Sequence, residues 1–220
     1  MDNLRRLSIE EFYNLHKEYI TPLNIKIDID QFQKDIEVYK PKFRQWGIKH
    51  TNFPRYGLAL TNLDGNIDGE VDPCCYPLDQ WWEQYPDKKY WESDFKVATS
   101  VLDIPSLQPL QQIKQYLWRS AILMWHNTGH FKPHVDMYPE TITHLRLWGT
   151  NKTGAGYRLT YGKKRIKDWE PGRLYLINTL DEHEAFSIEN DTYTFFIAVS
   201  LDAIPWINES IIQFQKAQNN

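Results

Sequence analysis

From Trp118 to Leu201 the chain is a series of short apolar or alternating segments cut apart by turn residues, and this pattern constrains the fold more than any other. Ala121–Trp125 is a continuous apolar run. Segments 134–137, 141–148, 157–161, 173–177, 186–188 and 193–201 follow it. Turn chemistry separates them at Thr128-Gly129, Asn151–Gly156, Tyr161-Gly162-Lys163, Pro171-Gly172 and Asn190-Asp191. A helix needs an apolar period near 3.6 sustained over ten or more residues, whereas segments of about five residues between tight turns suit strands. Seven or so short strands at this spacing predict a β-sandwich or barrel.

The first half of the chain reads differently. Ser8 followed three residues later by Glu11 is a capping box, and Phe12, Leu15 and Tyr19 continue it at helical spacing, predicting a helix over 8–19. A second short helix is expected over 29–39 and a strand over Tyr56–Thr61, with a turn at Asp64-Gly65-Asn66. Residues 72–94 are rich in Pro, Asp and aromatics and read as a structured loop with short helical pieces. The spacing of Leu107, Leu110 and Ile113 predicts a helix over 106–116, and 209–220 a short, fraying one. The expected organisation is one compact unit: a support region over 1–117, a β core over 118–205 and a helical tail over 206–220.

Composition excludes several classes. With 41% hydrophobic and 25% charged residues the chain can build a core and is not disordered. No apolar run approaches the ~20 residues of a bilayer span. The opening MDNLRRLSIEEF lacks the apolar segment of a signal peptide, so no membrane partner and a cytoplasmic location are expected. A formal net charge of −4, with basic residues scattered apart from Lys163–Arg165, argues against nucleic acid. That short run reads as a solvated turn. The adjacent Cys74 and Cys75 form no zinc-binding spacing and read as reduced thiols.

The residues that carry chemistry are histidines. Four of the seven fall between 126 and 144, and His183 stands apart. On a strand, His134 and Asp136 of His134-Val-Asp136 would point the same way. His183 lies 47 residues further on, in Asp181-Glu182-His183-Glu184, just ahead of an expected strand. Two histidines and a carboxylate meeting at one point would hold Fe(II) and leave coordination positions open; zinc suits the set less well. A His-x-Asp pair is also common on half-exposed strands, so the pair alone decides nothing.

Residues 118–202 resemble the aspartyl/asparaginyl β-hydroxylase-like family of 2-oxoglutarate/Fe(II)-dependent oxygenases. The matching stretches are HisAsnThrGlyHisPheLysProHisValAsp (126–136), ThrHisLeuArgLeu (143–147), AspTrpGluProGlyArgLeuTyrLeuIle (168–177) and GluHisGluAlaPhe (182–186). The resemblance implies a double-stranded β-helix core of the jelly-roll, cupin-like kind, with the N-terminal region as an α/β extension. It implies hydroxylation of a C–H bond in a protein Asp/Asn side chain, a free amino acid or a small metabolite, using O2 and coupled to decarboxylation of 2-oxoglutarate to succinate. His134, Asp136 and His183 then match the iron ligands, and His144 matches a histidine that helps hold the 2-oxoglutarate carboxylate.

Two departures follow from the same comparison. The family's arginine ten residues after the distal histidine is Tyr193 here, and the arginine before the matching histidine is Ile142. A dicarboxylate in a closed site needs a cation, preferably a guanidinium. The replacements are Arg146, which shares a strand face with His144, and Arg158 on the next strand; Arg146 is preferred. Tyr193 adds a hydroxyl at most. His126 and His130 read as supporting or surface groups. The cluster Trp81, Trp82, Tyr85, Tyr90 and Trp91 reads as packing, or as one wall of a substrate pocket. Arg55, Trp82 and Trp125 are candidates for substrate contact, and Asp72 sits in a loop from which it can reach one. The alternatives are a catalytically silent binding module of the same fold and a cupin-like iron enzyme that does not use 2-oxoglutarate.

Overall fold

The computed structural model describes residues 4–46, 55–69, 72–125, 129–136 and 142–219. In chain order the elements are α1 (Ile9–Leu15), β1 (Ile20–Lys26), α2 (Ile29–Ile36), β2 (Arg44–Gln45), β3 (Arg55–Ala59), β4 (Thr61–Asn62), α3 (Leu78–Gln84) and β5 (Val97–Ala98). They continue with β6 (Leu117–Trp125), β7 (His130–His134), β8 (His144–Thr150), β9 (Tyr157–Tyr161), β10 (Lys164–Ile166), β11 (Arg173–Ile177), β12 (His183–Ser187), β13 (Thr192–Ser200) and α4 (Ile204–Gln218). No helix among the described residues is long and apolar enough to cross a membrane.

The described strands form a seven-stranded sheet in the order β1-β11-β8-β13-β6-β3-β2, a four-stranded sheet in the order β10-β9-β12-β7, and the small pair β4-β5. Every pairing is antiparallel. From β6 to β13 the chain shuttles between the two larger sheets. β6, β8, β11 and β13 lie in one, and β7, β9, β10 and β12 in the other. This is a double-stranded β-helix, and the mainly-β fold class agrees with the sequence pattern. The strands β1, β2 and β3 widen the larger sheet at both edges.

Two apolar clusters hold the layers. One covers the outer face of the larger sheet, where Phe12, Phe32, Ile36, Leu107 and Ile207 pack on Tyr193, Phe195, Ile197 and Val199 of β13. The other fills the space between the sheets, with Trp125, Trp148, Tyr157, Leu159, Tyr175 and Ile177. β13 is therefore buried on both faces, which explains its nearly continuous apolar sequence.

The helices follow local chemistry. Ser8 accepts from the Glu11 N–H (3.1 Å), and Glu11 accepts from the Ser8 N–H (2.8 Å), closing the predicted capping box. The helix ends at Leu15 rather than at residue 19, because β1 begins at Ile20. α2 stops at Ile36 and tightens into a 3₁₀ turn that contains Pro41. Residues 105–116 form a 3₁₀ helix rather than an α-helix. Leu107, Leu110 and Ile113 recur every three residues, the 3₁₀ repeat, and Pro105 and Pro109 remove donors. α4 starts earlier than expected, at Ile204 with Pro205 in its first turn, where a missing N–H costs nothing. Cys74 and Cys75 are buried free thiols.

Several strand limits also move. β7 ends at His134 rather than continuing past it, and Met137 and Thr141 lie outside the described residues. β12 begins at His183, three residues ahead of the expected strand. Lys163–Arg165 is exposed as expected. It leads into β10 after Gly162, whose φ of +53° makes the turn.

Gly149 shows how tightly the larger sheet is packed. A Cβ there would lie 2.7 Å from the Arg173 carbonyl oxygen and 2.9 Å from Leu174 Cδ2. The backbone of paired β11 cannot yield, so Gly149→Ala is expected to lower stability by about 1–3 kcal/mol. Urea unfolding should show a lower midpoint with an unchanged slope, and an unchanged midpoint would contradict this packing.

Candidate metal and ligand site

β7 and β12 are neighbours in the smaller sheet, and their register sets His183 opposite His134. The two rings lie 4.4 Å apart between centroids. Asp136 sits two residues beyond the end of β7, so strand alternation is not what aims it. Its N–H donates to the Thr179 carbonyl (3.2 Å), and the resulting bend turns the carboxylate back toward the rings. Asp136 Oδ1 is 3.1 Å from His134 Nε2, and Oδ2 is 3.9 Å from His183 Nε2. One ligand atom from each of the three lies within 4.8 Å of the others.

The opposite ring nitrogens are tied to the backbone. His134 Nδ1–H donates to the Lys132 carbonyl (2.8 Å) and His183 Nδ1–H to the Asp181 carbonyl (3.0 Å). Such bonds fix the tautomer and leave both Nε2 lone pairs facing one point, as a metal requires. Burial lowers the His183 pKa, and the Asp136 charge opposes it. Burial alone would raise Asp136. The adjoining His134 and His183 rings, in their protonated metal-free form, and the charge of Arg146 outweigh it and hold the carboxyl well below the usual range. Neutral imidazole and ionised carboxylate are the forms that coordinate a cation.

This trio lies on the wall of a cavity of about 790 Å³ between the sheets. Trp125, Trp148, Tyr157 and Leu159 line its interior, and Leu78, Trp82 and Trp91 stand along another part of the wall. The Trp82 indole N–H donates to the Tyr90 carbonyl (2.9 Å) and its ring packs on Trp91 (4.6 Å). Trp125 donates to Thr194 Oγ1 (3.0 Å).

The cavity also holds buried charge. Arg119 Nη1 lies 3.1 Å from Glu92 Oε1, and Arg146 reaches both Glu92 oxygens at 3.4 Å. Arg146 also stacks on Phe196 at 3.9 Å. Burial pushes Glu92 up, but the two guanidiniums prevail and lower its pKa to about 2. Arg55 lies over Phe131 at 4.0 Å and near Trp125 and Trp46 at 5.3 and 5.4 Å. No ion pair joins it to a carboxylate among the described residues, and burial pushes its pKa down. His144, also lining the cavity, is held neutral by burial and by Arg146, with its pKa lowered to about 4.

The structure therefore gathers His134, Asp136, His183, His144, Arg146, Arg55, Trp82 and Trp125 around one space. It separates others from it. Arg158 is exposed on β9, because Tyr157, Leu159 and Tyr161 take the inward face. Tyr193 points to the opposite side of the larger sheet, against Phe32 (5.4 Å), so its hydroxyl cannot reach a ligand in the cavity. Asp72 caps a 3₁₀ turn by accepting from the Cys74 N–H. His130 pairs with Glu184 (3.1 Å) away from the cavity, and His126 lies outside the described residues. Arg119 and Glu92 are cavity residues that the sequence did not announce. Arg119 had one signal, as the only charged residue in a mostly apolar strand, where it shares its facing with Ala121, Leu123 and Trp125.

No family model matches the chain, and no curated protein matches it. Among solved structures it is similar to a prolyl hydroxylase from Trichoplax adhaerens in complex with a hypoxia inducible factor peptide, with 10% identity, a TM-score of 0.48 and 86% of each chain covered. It is similar to a 2OG-Fe(II) oxygenase family oxidoreductase from Burkholderia pseudomallei, with 8% identity, a TM-score of 0.45, and 90% and 92% covered. A Pseudomonas putida prolyl-4-hydroxylase gives 7% identity, a TM-score of 0.44, and 86% and 95% covered. None of these matches supports the narrower aspartyl/asparaginyl hydroxylase likeness.

The buried histidines make stability depend on pH. His144 and His16, the latter stacked on Phe12 at 3.9 Å, both have folded pKa values near 4, below the unfolded value of about 6.5. The unfolded chain thus binds more protons between these values, and stability falls as pH drops from 6.5 toward 4. The full loss is on the order of 3 kcal/mol per histidine. Glu92, with its depressed pKa, loses its contribution only below about pH 4.5. Urea midpoints of the metal-free protein should fall between pH 6.5 and 4.5, less steeply in His16→Phe. A flat midpoint across this window would contradict neutral burial.

Proposed function

We propose that this protein is an Fe(II)/2-oxoglutarate-dependent oxygenase that hydroxylates a C–H bond. One observation carries the reading: two imidazole Nε2 atoms and a carboxylate converge on one point, each ring locked by its Nδ1 bond, on the wall of a cavity that contains buried arginines. A donor set of two nitrogens and one carboxylate suits Fe(II), with open positions facing the cavity. When bound, iron and 2-oxoglutarate supply the O2-activating chemistry and the oxidising equivalents.

The chain's own residues bind, orient and exclude. His134, Asp136 and His183 would hold the metal, with Lys132 and Asp181 carbonyls fixing the rings. The cosubstrate's carboxylates would be met by Arg55 and His144, cavity groups able to donate to anions. Trp125, Trp148 and Tyr157 form a wall with little polar surface, which excludes water and strengthens charge contacts inside. Arg146 is already engaged by Glu92, and this favours one competing reading, an iron oxygenase that needs no keto acid.

Anaerobically reconstituted protein with Fe(II), 2-oxoglutarate and O2 should release succinate. His134→Ala and Asp136→Ala should each lower that rate at least about 100-fold, since both remove a metal ligand. Arg158→Gln, on the outer face, should leave it unchanged. Oxygen uptake that persists without 2-oxoglutarate would replace this reading with the keto-acid-independent one. Equal succinate release by wild type and His134→Ala would remove both.

A further inference from the structure

Charge in the cavity points beyond the cosubstrate. Among the described residues its wall carries three buried arginines, Arg55, Arg119 and Arg146. Two largely buried carboxylates, Glu92 and Asp136, oppose them, and His144 is neutral. Among the described residues, these buried groups alone leave an excess of one positive charge, the exposed Arg6, Asp79 and Lys132 at the rim being set apart, and a divalent ion would raise it to three. 2-Oxoglutarate is a dianion, so its binding leaves one positive charge unmatched. An uncompensated buried charge is costly, and a site built this way is stabilised by one further anionic group.

The cations are arranged as two stations. Arg55 comes from β3 and lies on Phe131, whose ring is 3.9 Å from that of His134. It has no carboxylate ion-pair partner among the described residues. Arg119 and Arg146 form the second station, bridged by Glu92. Each buried guanidinium offers five N–H donors, and Glu92 has only two oxygens to accept them. The Nε atoms of both arginines lack a hydrogen-bond partner among the described residues. Glu92 follows Trp91 directly, so this station adjoins the Trp82–Trp91 wall.

We propose that the substrate is itself a small carboxylic acid with an aromatic or apolar body, its carboxylate docking on Arg119 and Arg146 and its body lying against Trp82 and Trp91. Arg55 then receives the far carboxylate of 2-oxoglutarate. The inference rests on the oxygenase reading for the identity of the first anion. The cavity's volume exceeds the needs of a five-carbon diacid and lies within the usual range for small-molecule sites.

Isothermal titration of anaerobic Fe(II)-loaded protein, saturated with 2-oxoglutarate, tests the acid station without turnover. 3-Phenylpropionate and its neutral isostere 3-phenylpropanamide are the probes. The acid is expected to bind at least tenfold tighter than the amide. Arg119→Gln should abolish that preference while leaving 2-oxoglutarate affinity within about twofold, and Arg55→Gln should do the reverse. Should Arg119→Gln fail to fold, Glu92→Gln keeps both cations and removes their internal competitor. It should tighten the acid at least threefold and leave the amide unchanged. Equal binding of acid and amide, a preference that survives Arg119→Gln, or no tightening in Glu92→Gln overturns the proposal and leaves the oxygenase reading intact. Acid binding at Arg119 with no 2-oxoglutarate binding under any condition overturns the oxygenase reading instead.

Discussion

The pairing of β12 with β7 sets His183 opposite His134, and the chemistry of the cavity depends on that register. A slip of one residue would carry the His183 ring to the other face of the sheet. β12 is held from both sides. Its far neighbour β9 places Tyr161 opposite His183 and Leu159 opposite Ala185. Tyr161 is fixed in turn by donating its hydroxyl to the Asn178 carbonyl (2.6 Å). His183, Ala185 and Ser187 are buried, while Glu184 and Phe186 between them are only partly so, which makes one register far better than the next. On β7 the pairing skips a residue between Phe131 and His134. Pro133 falls within that irregularity, on the edge strand, where a missing N–H is tolerated. The bulge and the bend to Asp136 aim two side chains that simple alternation would not.

The rest of the site is charge held in a largely aromatic space. Arg55, Arg119 and Arg146 all lie on the larger sheet, on β3, β6 and β8, yet the common countercharge of the last two, Glu92, comes from the 3₁₀ turn over 92–94. Strands β6–β13 and the bend after β7 supply the His134–Asp136–His183 face, while chain that precedes them supplies Glu92 and the Trp82–Trp91 wall. Removing Glu92 would leave two buried guanidiniums facing each other, so the N-terminal half is tied to the core by electrostatics as well as by packing.

Much of this was legible in the sequence, for physical reasons that differ from residue to residue. Turn chemistry and short segment length gave away the β core, and the Ser8–Glu11 pair gave away the first helix. The His-x-Asp spacing and a distant histidine pointed to the triad, although Asp136 reaches it by a bend rather than along a strand. Arg158 and Tyr193 misled. Choosing between the faces of β9 needed the inward preference of Tyr157 and Leu159, and β13 is apolar on both faces, so its pattern says nothing about which side meets the cavity. β1 was hidden by Pro22 and Asn24, acceptable on an edge strand. Glu92 carried no local signal, since its partners lie 27 and 54 residues away.

Anomalous diffraction from crystals of the anaerobic Fe(II)-loaded protein tests the central geometry most directly. One iron peak per chain is expected, within about 2 Å of His134 Nε2, His183 Nε2 and an Asp136 carboxylate oxygen, with its remaining positions open to the cavity. Iron bound at other residues, or no peak at this point in protein that retains its fold, would contradict it.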